Sequence, residues 1–231
     1  MQPYNGLLLV NKPEGYSSFR VVAQVRGILR AASGQKNIKV GHSGTLDPAA
    51  TGLLVLAIGK YTKKMPELMK HNKAYLVEMT LGKISSTGDK EGEISFKSNK
   101  KPSINEINAV LEQHTGNLLQ KPPIFSAIKV NGQRAYKLAR QGKEVEIKAR
   151  PATVFENNLI SYKYPVVIFN SKVSSGTYIR SLVEDIGLAL GTGAYMSNLK
   201  RTVVGEYSLD SAIDVRNAST DTILKNLITI E

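Results

Sequence analysis

Apolar and polar positions alternate along this chain in ways that predict a definite series of elements. Leu7 to Val10 is a short continuous apolar run and predicts a buried strand. Beyond it Phe19, Val22, Val25 and Leu29 recur at helical spacing, with Ser17 or Ser18 placed to cap the helix and Gly34 to end it. Arg20, Arg26 and Arg30 fall mostly off that stripe. Leu53 to Ile58 is apolar throughout between Gly52 and Gly59, the pattern of a strand covered on both faces. A short helix fits 61–70, with Pro66 near a bend or a fresh start. In KAYLVEMTLG, 73–82, a strand puts Tyr75, Val77, Met79 and Leu81 on one face.

The segment 84–92 is rich in turn residues, and Ile94 and Phe96 mark the next strand. Ser103 with Glu106 forms a capping-box pattern before Ile107, Val110 and Leu111, so a helix is expected to run to about Thr115, with Gly116 after it. IFSAIKV reads as a strand followed by an Asn131-Gly132 turn, RAYKLARQ as a short basic helix and EVEIKA as a strand. Strands fit 153–160 and 165–173. TYIRSLVEDIGLAL is amphipathic on Ile179, Leu182, Val183, Ile186 and Leu190. A strand near 202–208 and a helix near 219–228 complete the series. Because strands come in runs rather than alternating with helices, the expected class is α+β with a mainly antiparallel sheet. The expected organisation is one domain over 1–231, with 121–151 as an excursion carrying its own small elements.

Composition narrows the chemistry. The 231 residues, 42% of them hydrophobic, suffice for one sizeable core. The absence of cysteine excludes disulfides and thiolate metal sites. The three histidines, His42, His71 and His114, lack metal-ligand spacing, which argues against a zinc or iron enzyme. The apolar run near the N-terminus is too short for a signal peptide, and no stretch reaches the roughly 18 apolar residues of a membrane span. A soluble, cytoplasmic protein without a membrane partner is expected. The net charge of +12 favours a polyanionic partner. Residues 121–150 contribute eight Lys/Arg (121, 129, 134, 137, 140, 143, 148 and 150) against Glu144 and Glu146.

Several familiar motifs fail. Gly41-His42-Ser43-Gly44 brings its second glycine one residue too early for a nucleophile elbow, which disfavours a hydrolase built on Ser43. Gly52 and Gly59-Lys60 are too far apart for a phosphate-binding loop, and Tyr61 stands where that loop needs a hydroxyl. Gly191-Thr192-Gly193 lacks the third glycine of a dinucleotide fingerprint. That leaves GHSGTLDPAATG, 41–52, whose Asp47 reads on its own as an Asp-Pro turn.

Six segments taken together change that reading. HSGTLDPAATGLL at 42–54 resembles the catalytic motif of the tRNA pseudouridine-55 synthase family (pseudouridine synthase B). NKPEGYSS at 11–18 is similar to that family's first motif, and KAY at 73–75 with Leu81-Gly82 to its tyrosine strand. PPIFSAIKVNGQRAYKLAR at 122–140 resembles its RNA-gripping insertion, SSGTYIRSL at 174–182 its arginine motif, and LKRT at 199–202 its last catalytic-domain signature. Ser43, Phe125 and Val173 are mild departures, standing where threonine, tyrosine and cysteine are frequent.

The resemblance implies the pseudouridine synthase fold, a mixed, mainly antiparallel central sheet flanked by helices with a thumb-like basic insertion. The chain stops soon after Arg201, so the family's small C-terminal RNA-binding domain is expected to be absent. The implied reaction is isomerisation of uridine 55 in the tRNA T-loop, without metal, nucleotide or redox cofactor. Asp47 is implied as the catalytic carboxylate, Arg180 as the cation that pairs with it and keeps it ionised, and Tyr75 as the platform for an extruded base. His42 is implied to fill the space that flipped bases leave, and Tyr178 and Leu199 to line the uracil pocket. Lys129, Arg134, Lys137 and Arg140 would hold the RNA backbone. The expected partner is the tRNA T-arm, bound by a monomer with no obligate protein partner. The alternative is a catalytically silent protein that binds and helps fold tRNA with the same cleft.

Overall fold

A computed structural model describes residues 4–126, 128–130, 132–135, 138, 141 and 147–229. In chain order its elements begin with β1 (Gly6–Lys12), α1 (Ser18–Ser33), β2 (Val40–His42), β3 (Thr51–Ile58), α2 (Met65–Leu68) and β4 (Lys73–Leu81). Then come β5 (Lys83–Ser85), β6 (Ile94–Phe96), α3 (Ile104–Gln113), β7 (Gly116–Gln120), β8 (Lys129–Val130) and β9 (Gln133–Arg134). The series continues with β10 (Arg150–Lys163), β11 (Val166–Val173), α4 (Ile179–Ala189), β12 (Ala194–Val204), β13 (Tyr207–Ser208), β14 (Ile213–Asp214) and α5 (Thr220–Lys225). The chain divides into two compact units, Met1–Tyr75 with Leu199–Glu231, and Leu76–Asn198. It passes between them inside β4 and β12.

In the first unit the strand order is β14-β1-β3-β12, with β2 also on β3 and β13 on β12. β1 and β3 run antiparallel from Gly6↔Ile58 to Lys12↔Gly52. β14 joins β1, and β12 joins β3, in parallel. Leu53 to Ile58 are wholly buried, as expected of a strand covered on both faces. One face packs on Val21, Val22, Val25 and Leu29 of α1, and the other on Leu68, Val204 and Tyr207. Ser17 caps α1 by accepting the Arg20 N–H, and Gly34 ends it with φ 68°. Phe19 departs from the expected stripe: it is 69% exposed, and Val21 takes the core position. Pro66 sits in the first turn of α2, after a 3-10 turn over Gly59–Lys64.

In the second unit the order is β12-β4-β11-β10-β7. β10 pairs antiparallel with both β11 and β7. The period-2 reading of β4 holds, with Tyr75, Val77, Met79 and Leu81 all buried. The capping box of α3 forms on both sides, the Ser103 oxygen accepting the Glu106 N–H and Glu106 accepting the Ser103 N–H. Ile94 and Phe96 do form β6, but both are exposed. The α+β class and the mixed, mainly antiparallel sheet are thus found. β12 begins eight residues before the expected 202, at Ala194, because Gly191 and Gly193 read as a continuing loop. Of the strand expected over IFSAIKV the described residues show only β8, which pairs with β9 at Gln133–Arg134, where the basic helix is expected to begin. The basic helix and the EVEIKA strand fall largely on 136, 137, 139, 140 and 142–146, outside the described residues.

Candidate active site

The first unit builds the loop that carries Asp47, and buried cations build that loop. Lys12 ends β1 at 0% exposure. Its ammonium donates to the carbonyls of Pro13 (3.1 Å), Tyr16 (2.6 Å) and Pro48 (3.2 Å), so three donors meet three carbonyl dipoles. Gly15 N–H donates to the same Pro48 oxygen at 2.9 Å. Ser18, at the start of α1, accepts the Leu46 N–H at 2.8 Å and donates to the Leu46 carbonyl at 3.0 Å. The Ala50 N–H donates to the Asp47 carbonyl at 3.1 Å, closing the Asp-Pro turn. The half-buried Asp47 therefore sits between two backbone positions, 46 and 48, that are both tied to the β1–α1 segment.

Arg201 on β12 supports the same loop from inside. It is the largest fully buried side chain among the described residues. Its Nε donates to the Leu53 carbonyl at 2.8 Å and its Nη2 to the Gly44 carbonyl at 3.1 Å. Its charge reaches two further groups. His42, on β2, accepts the Gly44 N–H on Nδ1 at 3.4 Å. Burial, and then Arg201, hold the His42 pKa below its ordinary value, so the imidazole is neutral at neutral pH. Lys73 is buried at the start of β4 and donates to the carbonyls of Met69 (2.7 Å) and His71 (2.6 Å). Burial, with Arg201 second, brings its pKa down to about 8. Tyr75 and Leu199, also of this unit, are both 8% exposed, and the Leu199 carbonyl accepts from the Thr51 hydroxyl at 3.4 Å. Ser43 is wholly buried and its oxygen has no hydrogen-bond partner, a poor setting for a nucleophile.

The second unit places Tyr178 and Arg180 at the start of α4. Gln120 clamps the Tyr178 backbone, its amide donating to the Tyr178 carbonyl (3.0 Å) while its oxygen accepts the Tyr178 N–H (2.8 Å). Arg180 is buried and lies 3.4 Å from the Asp89 carboxylate. It also donates to the carbonyls of Thr87 (3.2 Å) and Phe125 (2.9 Å). Asp89 is held in turn by the Thr87 hydroxyl at 2.6 Å and the Glu91 N–H at 3.1 Å. A carboxylate bonded in this way keeps a guanidinium flat and aimed. Beside it, burial and then Asp185 push the Glu184 pKa upward.

Of the expected site residues, His42 and Asp47 share one loop of the first unit, which also carries Tyr75 and Leu199, while Tyr178 and Arg180 belong to the second. Lys137 and Arg140 lie outside the described residues, and of Lys129 and Arg134 only the backbone is described. Sequence reasoning missed Lys12, Ser18, Gln120, Asp89 and Arg201 as supports. For Lys12 and Arg201 a signal existed: each occupies an inward position of a strand, where a cation needs carbonyl partners.

A family model described as "TruB family pseudouridylate synthase (N terminal domain)" matches residues 30–179. A second, "tRNA pseudouridylate synthase B C-terminal domain", matches 180–224. The chain is 43% identical over 227 residues to a protein of Clostridium novyi named tRNA pseudouridine synthase B, covering 98% of this chain and 76% of the relative. It is 39% identical over 226 residues to one of the same name from Parabacteroides distasonis, covering 97% and 96%. Among solved structures it is similar to a chain of a Cbf5-Nop10-Gar1 complex, with a TM-score of 0.69, 30% identity, and 92% of this chain covered against 53% of that one. A chain of an H/ACA RNP bound to a substrate RNA is similar at a TM-score of 0.68 and 28% identity, with 92% and 51% covered. The chain thus spans about half the length of these solved relatives.

Proposed function

We propose a reaction for this chain on one premise: it belongs to the TruB family of pseudouridylate synthases. The reaction is isomerisation of a uridine in tRNA to pseudouridine, and the target is uridine 55 of the T-loop. The bond from C1′ to N1 breaks, the uracil turns over, and C1′ joins C5. The proton lost from C5 is balanced by the one gained at N1, so no oxidant, metal or co-substrate is needed.

One observation carries the proposal. A single carboxylate, Asp47, is presented by a loop whose backbone is pinned by Lys12, Ser18 and Arg201. Chemistry at a sugar carbon requires an ionised carboxylate at a defined place, and such preorganisation removes the entropy of finding it. A pocket closed by RNA desolvates the acid and favours its protonated form. Arg180 is assigned the task of opposing that and keeping Asp47 charged, which suits a guanidinium already oriented by Asp89. Tyr75 is assigned to stack on the extruded base, an interaction worth ~1–3 kcal/mol. The neutral His42 is assigned to the gap left in the RNA, and Tyr178 and Leu199 to the uracil.

The basic segment 121–151 is assigned to gripping the T-arm through Lys129, Arg134, Lys137 and Arg140, as an insertion in one catalytic domain. The protein is taken to act in the cytoplasm, as a monomer and without a cofactor. Deletion of 126–148 should cut tRNA affinity sharply. Unchanged affinity would remove the grip from the proposal.

The decisive experiment offers an unmodified T-arm hairpin to the wild type and to Asp47→Asn, then maps pseudouridine by base-specific chemical labelling. Product with the wild type and bound RNA without product for the variant are expected. Wild-type protein that binds the hairpin yet forms no product would instead mark a silent RNA-binding protein.

A further inference from the structure

α1 begins beside the catalytic loop, where Ser18 holds Leu46, and ends at a pocket of about 290 Å³. That pocket is lined by Tyr4, Asn5 and Thr62 and by three lysines, Lys39, Lys60 and Lys63, with no carboxylate in its walls. Its walls are braced. Asn5 accepts the Lys60 N–H at 2.7 Å, Gly59 N–H donates to the Lys39 carbonyl at 2.8 Å, and the Thr62 hydroxyl donates to the Gly59 carbonyl at 2.8 Å. The three lysines are exposed.

Between the loop and the pocket, the outward side of α1 forms a single stripe. Phe19, Arg20, Ala23, Gly27 and Arg30 are exposed and fall on one side at 100° per residue. Arg20 stacks its guanidinium over Tyr16 at 3.7 Å. The middle of the stripe is low, since even a Cβ added at Gly27 would meet nothing within 4 Å. The helix's 16 residues span ~24 Å, room for several phosphates of one strand. From residue 15 to 66 the chain has eight Lys/Arg and one acid, Asp47 itself. Among neighbours packed on α1, the Asp214 carboxylate is already bonded to Arg216.

We propose that the exposed stripe of α1 and the lysine pocket at its end form a second track for the sugar-phosphate backbone of the substrate RNA, separate from the 121–151 segment. The proposal rests on the function proposed above, and it names where the RNA strand runs after leaving Asp47. Cations at both ends neutralise phosphates, and the small residues between them let the backbone come close. The spread of charge beyond the pocket favours a strand over a free nucleotide, whose single phosphate group needs only the pocket.

Two variants test it by fluorescence-anisotropy titration of an unmodified tRNA transcript across a KCl series. In Lys39→Ala/Lys60→Ala/Lys63→Ala the magnitude of the log-log salt slope should fall by about 0.7–0.9 for each phosphate the protein no longer neutralises. Affinity should fall at least tenfold, with turnover at saturating RNA within about twofold of wild type. Gly27→Glu adds a negative charge to open surface on a helix it cannot crowd, and it should also weaken binding at least fivefold, while Gly27→Ala does not. Unchanged slopes and affinities in both variants would overturn the track. Saturable AMP binding that disappears in the triple variant, with RNA titrations unaltered, would overturn it too and assign the pocket to a free nucleotide. Wild-type product formation on the same transcript is measured alongside. Its absence refutes the proposed reaction, whereas a present reaction with unaltered variants refutes only the track.

Discussion

Ser18 and Leu46 exchange two hydrogen bonds through one hydroxyl, which accepts the Leu46 N–H at 2.8 Å and donates to the Leu46 carbonyl at 3.0 Å. Both residues are buried, so water cannot replace either bond. Ser18→Ala leaves an N–H and a carbonyl unsatisfied next to Asp47, at a cost of about 1–3 kcal/mol. For a chain of this size that is a Tm loss of several degrees. Turnover on a T-arm hairpin should fall at least tenfold with RNA affinity nearly unchanged. Thermal melts and single-turnover kinetics check both parts. Normal turnover would mean that the loop holds Asp47 without Ser18.

Asp89 gives a second test. It is the buried carboxylate that faces Arg180 at 3.4 Å. Asp89→Asn keeps the shape and removes the charge, taking one carboxylate away from a buried guanidinium. Breaking such a pair typically costs about 3–5 kcal/mol. Chemical denaturation should register that loss, and turnover should drop at least tenfold while the hairpin still binds. Replacing Arg180 by Lys should be damaging as well, because an ammonium cannot serve Asp89 and the carbonyls of Thr87 and Phe125 in one plane.

Lys73 makes stability depend on pH in a known direction. Its folded pKa is lowered to about 8 from 10.5, by burial first and Arg201 second. Between those values the unfolded chain holds a proton that the folded protein has shed. Stability from this residue therefore rises with pH across that window, and below it the full cost of a buried charge is felt. The change is on the order of 3 kcal/mol. Urea melts from pH 7.5 to 10.5 should show the rise in the wild type and a flatter profile in Lys73→Met. Equal slopes would mean that Lys73 keeps its charge throughout.

Much of this was legible in the chain. Periodicity located β3, β4, α1, α3 and α4, because each buries one repeating face. It misplaced Phe19, since an apolar residue in the first turn of a helix can face solvent at little cost and the pattern cannot tell it from Val21. It missed the first half of β12 because two glycines precede that strand, and glycine usually marks turns. The motifs marked Asp47 and Arg180, yet their supports were hidden. Lys12, Ser18 and Asp89 act on partners 36, 28 and 91 residues away, and such pairings are set by the three-dimensional fold rather than by local spacing.

Gly52 shows how closely β3 and β12 approach under that loop. It pairs with Arg201 in parallel register and has φ +100°, a conformation costly for any residue with a side chain. A Cβ there would collide with the Arg201 carbonyl oxygen and lie 2.7 Å from its nitrogen. Gly52→Ala must therefore push β12 off β3, and the Arg201 bonds to Leu53 and Gly44 go with it. A loss of more than about 3 kcal/mol is expected, the scale of a severe core or backbone lesion. The His42 pKa should rise as Arg201 withdraws, although burial still holds it below the ordinary value. NMR titration of the His42 ring against thermal melts separates these effects. Gly27→Ala, in open space on α1, is the control and should stabilise by about 0.5–1 kcal/mol. A Gly52→Ala protein with wild-type stability would show that β3 and β12 can part without cost, and the support assigned to Arg201 would fall with it.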